Sequence, residues 1–366
     1  MESNLNRLFY LNHTPINFHF TKSSSDFVVS EVPLYPFSGE GEHLVIKIRK
    51  KDLTTWAMLK IISETTGVKQ RDFGYAGLKD KDGMTIQYIS MPKKFEDKLE
   101  NFQHTKIKIL EKTYHNNKLK IGHLKGNSFF IRLKKVDSVG AKKLHQAVQI
   151  IRKQGFPNYF GYQRFGRDGD NYERGREILK GNIKERNKKM YKFFISAYQS
   201  HLFNLWLSKR VEMSKLFDSF DEKELFTLFN YSKELIKQIK SQPNFFKMLP
   251  GELLHHYPHG RVFLCEDLEI ESKRFFEKDI TITGLLCGKK AQNSVGMAFN
   301  IEKDIVKDAE AYSNKMNGAR RFAWIWAEDL VGKYKEEEAH YELNFTLPKG
   351  SYATVLLEEL THTITK

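Results

Sequence analysis

The sequence predicts an α+β fold, in which short strands and a few helices form one domain and a second module is inserted into it. Strand-like alternation dominates residues 16–136, helical periodicity dominates 184–316, and strand-like pieces return after 317. The chain has 366 residues, enough for one large or two medium domains, and its 40% hydrophobic and 13% aromatic content suffices for a sizeable core. This composition excludes disordered and fibrous proteins.

The first half alternates strands with two helices. One helix is predicted at 54–66, with Thr54 as its N-cap and Gly67 as its stop. A second is predicted at 138–154, with Ser138 as its cap. The early strands are INFHF at 16–20, DFVVSEV at 26–32 and HLVIKI at 43–48.

From about residue 184 the sequence changes character. A helical segment through FFISAYQSHLFNLWLSKRVEM is followed by charged helical runs that prolines separate. From 317 onward, strand-like pieces resemble the first half again, and a short final helix is predicted from Ser351. We therefore predict one domain formed by 1–183 and 317–366, interrupted by a separate domain at 184–316.

The chain is basic, with 60 Lys and Arg against 45 Asp and Glu and a formal net charge of +15. Much of the excess lies between Lys106 and Lys135, where lysines alternate with aliphatic residues in K-I-K-I and K-L-K-I. On strands, this alternation places the lysines on one face and the apolar residues on a core face. The lysines form either a solvated surface or a footprint for phosphates, and the sequence leaves both open. The predicted core residues are Ile107, Ile109, Leu119 and Ile121.

Several classes of protein are excluded or disfavoured by missing motifs. Cys265 and Cys287 are too few for a disulfide framework or a four-cysteine zinc site, which favours a reducing compartment. No apolar run approaches the length of a membrane span, and the first residues lack a signal-peptide pattern, so we expect a cytoplasmic protein. No P-loop or G-x-G-x-x-G is present, and neither the loop at Asp168 nor the histidines of HHYPHG have metal-ligand spacing. We predict no metal and no nucleotide cofactor.

The segment AGLKDKDG carries the first candidate for chemistry. Asp80 and Asp82 are expected at the tip or shoulder of a hairpin, beside Lys79 and Lys81. Asp-Gly is a common turn dipeptide, so a plain turn accounts for the segment. Alternatively, a carboxylate kept ionised by neighbouring lysines can act as a nucleophile or a general base.

The second candidate is GFPNYFGYQRFG, at residues 155–166. Its glycines allow a close approach of the backbone, and its aromatic, amide and guanidinium side chains suit stacking on an unpaired base. Core packing beside a turn is the alternative. The residues by themselves do not decide between the two.

Short motifs occur along nearly the whole chain, in the order DFVVSE (26–31), GEGEH (39–43), AGLKDK (76–81), KLKIGHLKGN (118–127), PNYFGYQRFG (157–166), RNKK (186–189), SHLFN (200–204) and LPKGSYAT (347–354). Taken together, these motifs resemble the TruD family of tRNA pseudouridine synthases. The resemblance implies a pseudouridine-synthase catalytic fold, a mixed and largely antiparallel sheet flanked by helices, with an inserted α/β domain particular to the family.

The resemblance also implies roles for individual residues. Asp80 matches the catalytic aspartate, and Lys22 is the candidate for its charge partner. The expected uridine-pocket residues are Phe27, Asn158, Phe160 and Tyr352. We expect the lysine-rich sheet to hold the RNA backbone, through Lys118, Lys120 and Lys125.

The implied activity is the isomerisation of a tRNA uridine, by family habit uridine 13 of the D-arm, to pseudouridine. The reaction consumes nothing, so no cofactor is expected, and we expect a monomer that acts on tRNA. Two alternatives are a basic RNA-binding module without chemistry and a metal-dependent RNA-processing enzyme built on Asp80 and Asp82.

Overall fold

The computed structural model describes residues 7–364, which form an α+β protein. Strands and helices are numbered separately in chain order. The strands are β1 (Phe27–Pro33), β2 (His43–Lys51), β3 (Gly74–Tyr75), β4 (Met84–Pro92), β5 (Ile107–His115), β6 (Leu124–Leu133), β7 (Phe156–Pro157), β8 (Leu253–His256), β9 (Val262–Leu264), β10 (Ile280–Gly288), β11 (Asn317–Phe322), β12 (Trp324–Ile325), β13 (Glu328–Lys335) and β14 (His340–Pro348). The helices are α1 (Thr55–Thr66), α2 (Ser138–Gln154), α3 (Asn171–Lys180), α4 (Lys188–Ser219), α5 (Glu222–Phe229), α6 (Lys233–Lys240), α7 (Leu268–Phe276), α8 (Gly296–Glu310) and α9 (Ala353–Thr361).

The chain divides into two compact units. The sheet unit comprises Ile16–Gln149 and Ala327–Gly350. The helix-rich unit comprises Ile150–Trp326 and Ser351–Lys366 together with Met1–Pro15, so far as these ranges fall within the described residues. The insert predicted at 184–316 falls within the range of the helix-rich unit, and its borders stay predictions.

The sheet unit is built on an eight-stranded sheet, in the order β13-β14-β6-β1-β4-β2-β5, with β3 paired to β4. β1 and β4 run parallel, and the other neighbouring pairs are antiparallel. A mixed, largely antiparallel sheet is thereby confirmed. Apolar residues of α1 pack against inward-facing residues of β2, which forms a core from Met58, Leu59 and Ile62 with Leu44, Ile46 and Ile48.

The capping residues predicted for α1 are confirmed, whereas the N-cap residue predicted for α2 is wrong. The Thr54 side chain accepts a hydrogen bond from Ala57 N–H, and Gly67 ends α1 with a left-handed φ of 71°. For α2, the capping side chain belongs to Asp137, whose Oδ1 accepts from Gly140 N–H at 2.6 Å. The predicted cap Ser138 is instead the first residue of the helix.

Two predicted strands are wrong. Residues 16–20 form only an isolated bridge between His19 and Lys134. Residues 118–121 form a loop, because Leu119 N–H bonds to the Ser90 hydroxyl rather than to a neighbouring strand. Leu119 is buried as predicted, but Ile121 is 73% exposed, so the expected lysine face does not continue through this segment.

The helix-rich unit combines a four-stranded sheet, in the order β11-β10-β8-β9, with a two-stranded pair of β7 and β12. The long helix α4 contributes buried residues such as Phe194, Ile195 and Leu202 to a core shared with α3, α8 and β10. Within the described residues, no helix is both long and apolar enough to cross a lipid bilayer.

Gly126 allows β6 and β14 to lie close together. A Cβ at this position would lie 2.2 Å from the Leu347 carbonyl oxygen, nearer than any real contact. We expect Gly126→Ala to push β14 away and to lower the free energy of unfolding by about 1–3 kcal/mol. Urea unfolding followed by circular dichroism measures this change.

Gly77→Ala is the matched control, since its Cβ would meet only the Glu31 Oε1 atom, at an ordinary 3.7 Å. Its free energy of unfolding should stay within about 0.5 kcal/mol of the wild-type value. Equal stability of the two variants would show that β14 adapts to the extra methyl group.

Candidate active site

Asp80 lies on the loop of residues 76–83 that connects β3 to β4, and it is exposed, as is Asp82. β3 and β4 pair antiparallel, with Tyr75 opposite Ile89, so Asp80 lies within the wide connection of a hairpin; a position at its tip or shoulder was predicted. The loop ends at Gly83, which has a φ of 81°. A Cβ on Gly83 would lie 2.6 Å from the Phe27 carbonyl oxygen, so the start of β1 packs directly against the end of this loop.

A buried lysine anchors the loop from within the sheet. Lys50 is the next-to-last residue of β2. It lies on the buried face of the strand and is 1% exposed. Its ammonium donates to the carbonyl oxygen of Asp80 at 2.8 Å, to the Leu53 carbonyl and to the Thr85 hydroxyl. Burial lowers the pKa of Lys50 to about 8, while the charge of Asp80 acts in the opposite direction. At neutral pH the loop is therefore tied to a cation beneath it.

The residue before Asp80 is anchored as well. The Lys79 ammonium lies 3.4 Å from Glu31 Oε1 and donates to Asn127 Oδ1. The Glu31 side chain is 1% exposed, its Oε2 accepts from Tyr88 N–H at 2.9 Å, and burial raises its pKa against the opposing effect of Lys79. The Lys79 backbone N–H donates to the Thr55 hydroxyl at 2.9 Å. These contacts hold the main chain at residues 79 and 80 while the Asp80 carboxylate remains accessible to solvent.

Phe27 and Lys22, also predicted as site residues in the sheet unit, have different surroundings. Phe27 is the first residue of β1, half-buried, with Phe20 and Phe129 at ring-centroid distances of 6.0 and 6.4 Å. Lys22 has no hydrogen bond or ion pair within the described part of the chain. The lysine contacts of the Asp80 loop come from Lys50 and Lys79, and the role of Lys22 stays a prediction.

In the helix-rich unit, Asn158 and Phe160 lie just after β7. Both are buried, at 5% and 8% exposed. The Phe160 backbone N–H donates to Asn204 Oδ1 at 2.8 Å, and Asn204 Nδ2 donates back to the Phe160 carbonyl at 3.0 Å. Because one amide side chain on α4 satisfies both backbone groups, the position of the Phe160 ring is closely defined.

Arg321 on β11 joins these two residues. Its guanidinium carbon lies 3.9 Å from the Phe160 ring centroid, a close cation–π contact. Its Nη2 also donates to the carbonyl and to Oδ1 of Asn158, both at 3.0 Å. Burial lowers the pKa of Arg321 to about 10, so the side chain stays charged at neutral pH.

Tyr352 completes this group. Its ring lies 6.2 Å from that of Phe160, at an interplanar angle of 59°, and it immediately precedes α9. Asn158, Phe160 and Tyr352, three of the predicted uridine-pocket residues, thus share one neighbourhood around Arg321.

The predicted backbone-binding lysines are less uniform. Lys118 donates to the Arg71 carbonyl at 2.7 Å, and Lys125 lies 3.7 Å from the Glu328 carboxylate. Lys120 is exposed, and its ammonium has no hydrogen bond or ion pair among the described residues. Their role toward RNA stays a prediction.

Sequence reasoning missed Lys50, Glu31, Asn204 and Arg321 as site residues. Lys50 carried a readable signal, because it continues the inward alternation of Ile46 and Ile48 and thus places a charge at a core position. Glu31 and Asn204 lay inside matched motifs without an assigned role. Arg321 carried no local signal, since its partners lie some 160 residues away in the chain.

Among the described residues, no group of three or more His, Cys, Asp or Glu side chains is arranged so that it could bind a metal ion. Cys265 and Cys287 are buried free thiols, and burial raises the pKa of both.

Comparison with known proteins identifies the family. A family model described as tRNA pseudouridine synthase D (TruD) matches residues 5–186 and 183–360. Two proteins named tRNA pseudouridine synthase D are similar throughout: one from Nitratiruptor sp. is 56% identical over 358 residues and covers 98% of each chain. The other, from Campylobacter jejuni, is 59% identical over 356 residues, or 97% of this chain and 95% of that one.

The fold is also found in a crystal structure of the putative tRNA pseudouridine synthase D (TruD) of Methanosarcina mazei. It superposes with a TM-score of 0.74 over 99% of both chains, at 19% identity. The matches define the class of protein as the tRNA pseudouridine synthases, which are isomerases. Within that class, the chain belongs to the TruD family, and the resemblance drawn from its motifs is confirmed.

The depressed pKa of Lys50 has a measurable consequence for stability. The unfolded chain keeps the Lys50 proton up to about pH 10.5 and the folded chain only to about pH 8, so the unfolded state binds more protons in this window. Stability contributed by this site therefore rises with pH between 8 and 10.5, by at most about 1.4 kcal/mol per pH unit. Lys50→Met should lack this rise, as measured by urea unfolding at several pH values.

Lys47→Met on the same strand is the control. Lys47 is paired with Glu111 at 2.9 Å, and this hydrogen bond raises its pKa, so its contribution is lost only above the same window. Between pH 8 and 10.5 this variant should follow the wild-type curve. If Lys50→Met also runs parallel to the wild type, Lys50 titrates normally in the folded protein.

Proposed function

We propose that this protein isomerises a uridine of tRNA, uridine 13 in the D-arm, to pseudouridine, with Asp80 as the residue that acts on the nucleotide. The observation that carries the proposal is the exposed Asp80 carboxylate on a loop whose backbone is fixed by Lys50 and Lys79. A reactive group must be accessible to substrate and yet held in one place, and this arrangement meets both needs.

The reaction breaks the bond between uracil N1 and ribose C1′, turns the base over and joins C5 to C1′. A carboxylate near these atoms can attack as a nucleophile or act as a base, and both roles remain compatible with Asp80. No redox equivalent or energy carrier is consumed, so we propose an enzyme that needs no cofactor. We also propose that it acts as a monomer in the cytoplasm.

The target base must leave its stack before it can reach the Asp80 carboxylate or a buried aromatic group, at a cost of a few kcal/mol. We propose that Phe160 and Tyr352 supply stacking surfaces for the extruded uridine, that Asn158 contributes polar contacts and that Phe27 is a further residue that binds the uridine. Arg321 supports this role because it orders both Asn158 and the Phe160 ring.

The principal test is Asp80→Asn, with Asp82→Asn as the matched control two residues away on the same exposed loop. Asp80→Asn removes the carboxylate and should lower the rate of pseudouridine formation by at least about 100-fold, while tRNA binding is retained. Asp82→Asn should keep most of the activity. Primer extension after carbodiimide treatment of tRNA measures pseudouridine, and filter binding measures affinity.

Substantial turnover by Asp80→Asn would remove Asp80 from the mechanism. The reaction is run in EDTA and in Mg²⁺, because a metal-dependent RNA-processing enzyme would cleave RNA only with metal. Intact RNA with pseudouridine in EDTA supports the isomerase. A gel that shows strand cleavage would favour the alternative.

A second prediction concerns Phe160. Phe160→Ala removes the stacking ring and should weaken uridine-dependent catalysis by about 1–3 kcal/mol, seen as a lower kcat/KM for tRNA. Phe193→Ala is the control, since both rings lie 5.9 Å from the Arg164 guanidinium but Phe193 lies outside the proposed pocket. Equal kcat/KM in the two variants would make Phe160 a residue of the core alone.

A further inference from the structure

A basic pocket lies at one edge of the sheet unit, and none of the residues assigned so far to the candidate active site lines it. It has a volume of about 330 Å³ and is formed by β2, β5 and the segment before β5. Four of its lining residues are cations, Arg49, Lys51, Lys106 and Lys108, and none is acidic. Phe102 and His104 add aromatic surface. We call this set the edge pocket.

The geometry of the two strands brings the cations together. Arg49 and Lys108 are directly opposite each other in the antiparallel register, and Lys51 N–H donates to the Lys106 carbonyl at 3.0 Å. Because side chains alternate along a strand, Arg49 and Lys51 project from the face of β2 opposite to that of the buried Lys50. β5 is the outer strand of the sheet, so the pocket opens at the sheet edge.

The cations of the edge pocket are not neutralised by the protein. Within the described residues, no carboxylate forms an ion pair with any of the four. Like charges directly opposite each other destabilise a sheet. The same two strands show the stabilising alternative at Lys47 and Glu111, which are also paired in register and form a 2.9 Å ion pair. Fold stability therefore does not account for the cations of the edge pocket.

We propose that the edge pocket binds the phosphate backbone of the tRNA substrate. Clustered cations without acidic partners are the electrostatic signature of a phosphate site, and the volume admits a nucleotide-sized group. Phe102 and His104 offer surfaces on which a neighbouring base or ribose can pack. This inference rests on the proposed function in taking tRNA as the ligand.

The edge pocket also includes the residue that follows the anchor of the Asp80 loop in the chain. Lys51, which lines the pocket, directly follows Lys50, whose ammonium bonds to the Asp80 carbonyl. By contrast, Lys118 and Lys125 already have protein partners, which makes them weaker candidates for the main phosphate contact.

The test replaces all four cations of the edge pocket by glutamine, through Arg49→Gln, Lys51→Gln, Lys106→Gln and Lys108→Gln. Binding of tRNA is measured by filter retention at several KCl concentrations. If three or four phosphate contacts are lost, the slope of log K against log salt should become shallower by about 2–3, and the Kd at low salt should rise at least about tenfold.

The control variant removes the same charge elsewhere on the same unit, through Lys60→Gln, Lys69→Gln, Lys142→Gln and Lys333→Gln, all exposed. It should keep a slope close to the wild-type value, which separates local contact from net charge. A third variant, Lys118→Gln, Lys120→Gln and Lys125→Gln, tests the other lysine group. Thermal unfolding verifies that each variant is folded.

A wild-type slope and Kd in the edge-pocket variant would overturn the inference, as would an equal loss in the control variant. So would loss of inorganic phosphate binding with unchanged tRNA binding, since the pocket would then serve a free anion. The binding readout does not depend on isomerisation. If the wild-type protein formed no pseudouridine, the proposed function would fail. The salt dependence of tRNA binding would still test whether the edge pocket binds phosphate.

Discussion

The buried ammonium of Lys50 is the interaction on which the candidate active site depends. A charge that is almost fully removed from water must be surrounded by hydrogen-bond acceptors, because an unpaired buried charge is strongly destabilising. Here the acceptors are the carbonyls of Leu53 and Asp80 and the hydroxyl of Thr85. The chain can satisfy Lys50 only if the Asp80 loop folds back over the end of β2. The hydrogen bonds that stabilise Lys50 inside the sheet therefore also fix the position of the Asp80 loop.

The helix-rich unit uses the same device with a different cation. Arg321 is charged and half-buried, and its guanidinium contacts Asn158 and the face of the Phe160 ring. Asn204 then holds the Phe160 backbone at both its N–H and its carbonyl. In each unit, a segment that bears a family motif is held by a buried cation or amide from a distant part of the chain. The exposed or stacking group is left with few alternative positions, which is the usual structural meaning of preorganisation.

This arrangement explains what the sequence could and could not predict. The limits of α1 follow from Thr54 and Gly67 alone, because capping involves neighbours within a few residues. The α+β class was predicted from alternation, whereas the mixed sheet, Asp80 and Phe160 were predicted from the motifs that resemble the family. The loop at 118–121 was missed because its alternation imitates a strand, while the Ser90 hydroxyl and the turn at Gly122 decide its conformation. Arg321 was missed because its partners lie far away in the chain, and no residue near it in the sequence indicates them.

Charge shows the same distinction between local pattern and folded context. A count along the chain puts the strongest positive cluster between Lys106 and Lys135, yet many of those lysines are not equivalent once folded. Lys112 lies 4.0 Å from Glu96, Lys125 pairs with Glu328, and Lys134 pairs with Asp26 at 2.6 Å. An ion pair already formed within the protein must be broken before its lysine can neutralise a phosphate, so it releases less free energy on RNA binding. What matters for a polyanion is the positive charge that remains after internal pairing. In the sheet unit, the remaining positive charge includes Arg49 and Lys108, which lie opposite each other on neighbouring strands. They are at the outer edge of the sheet, where a long ligand can reach them.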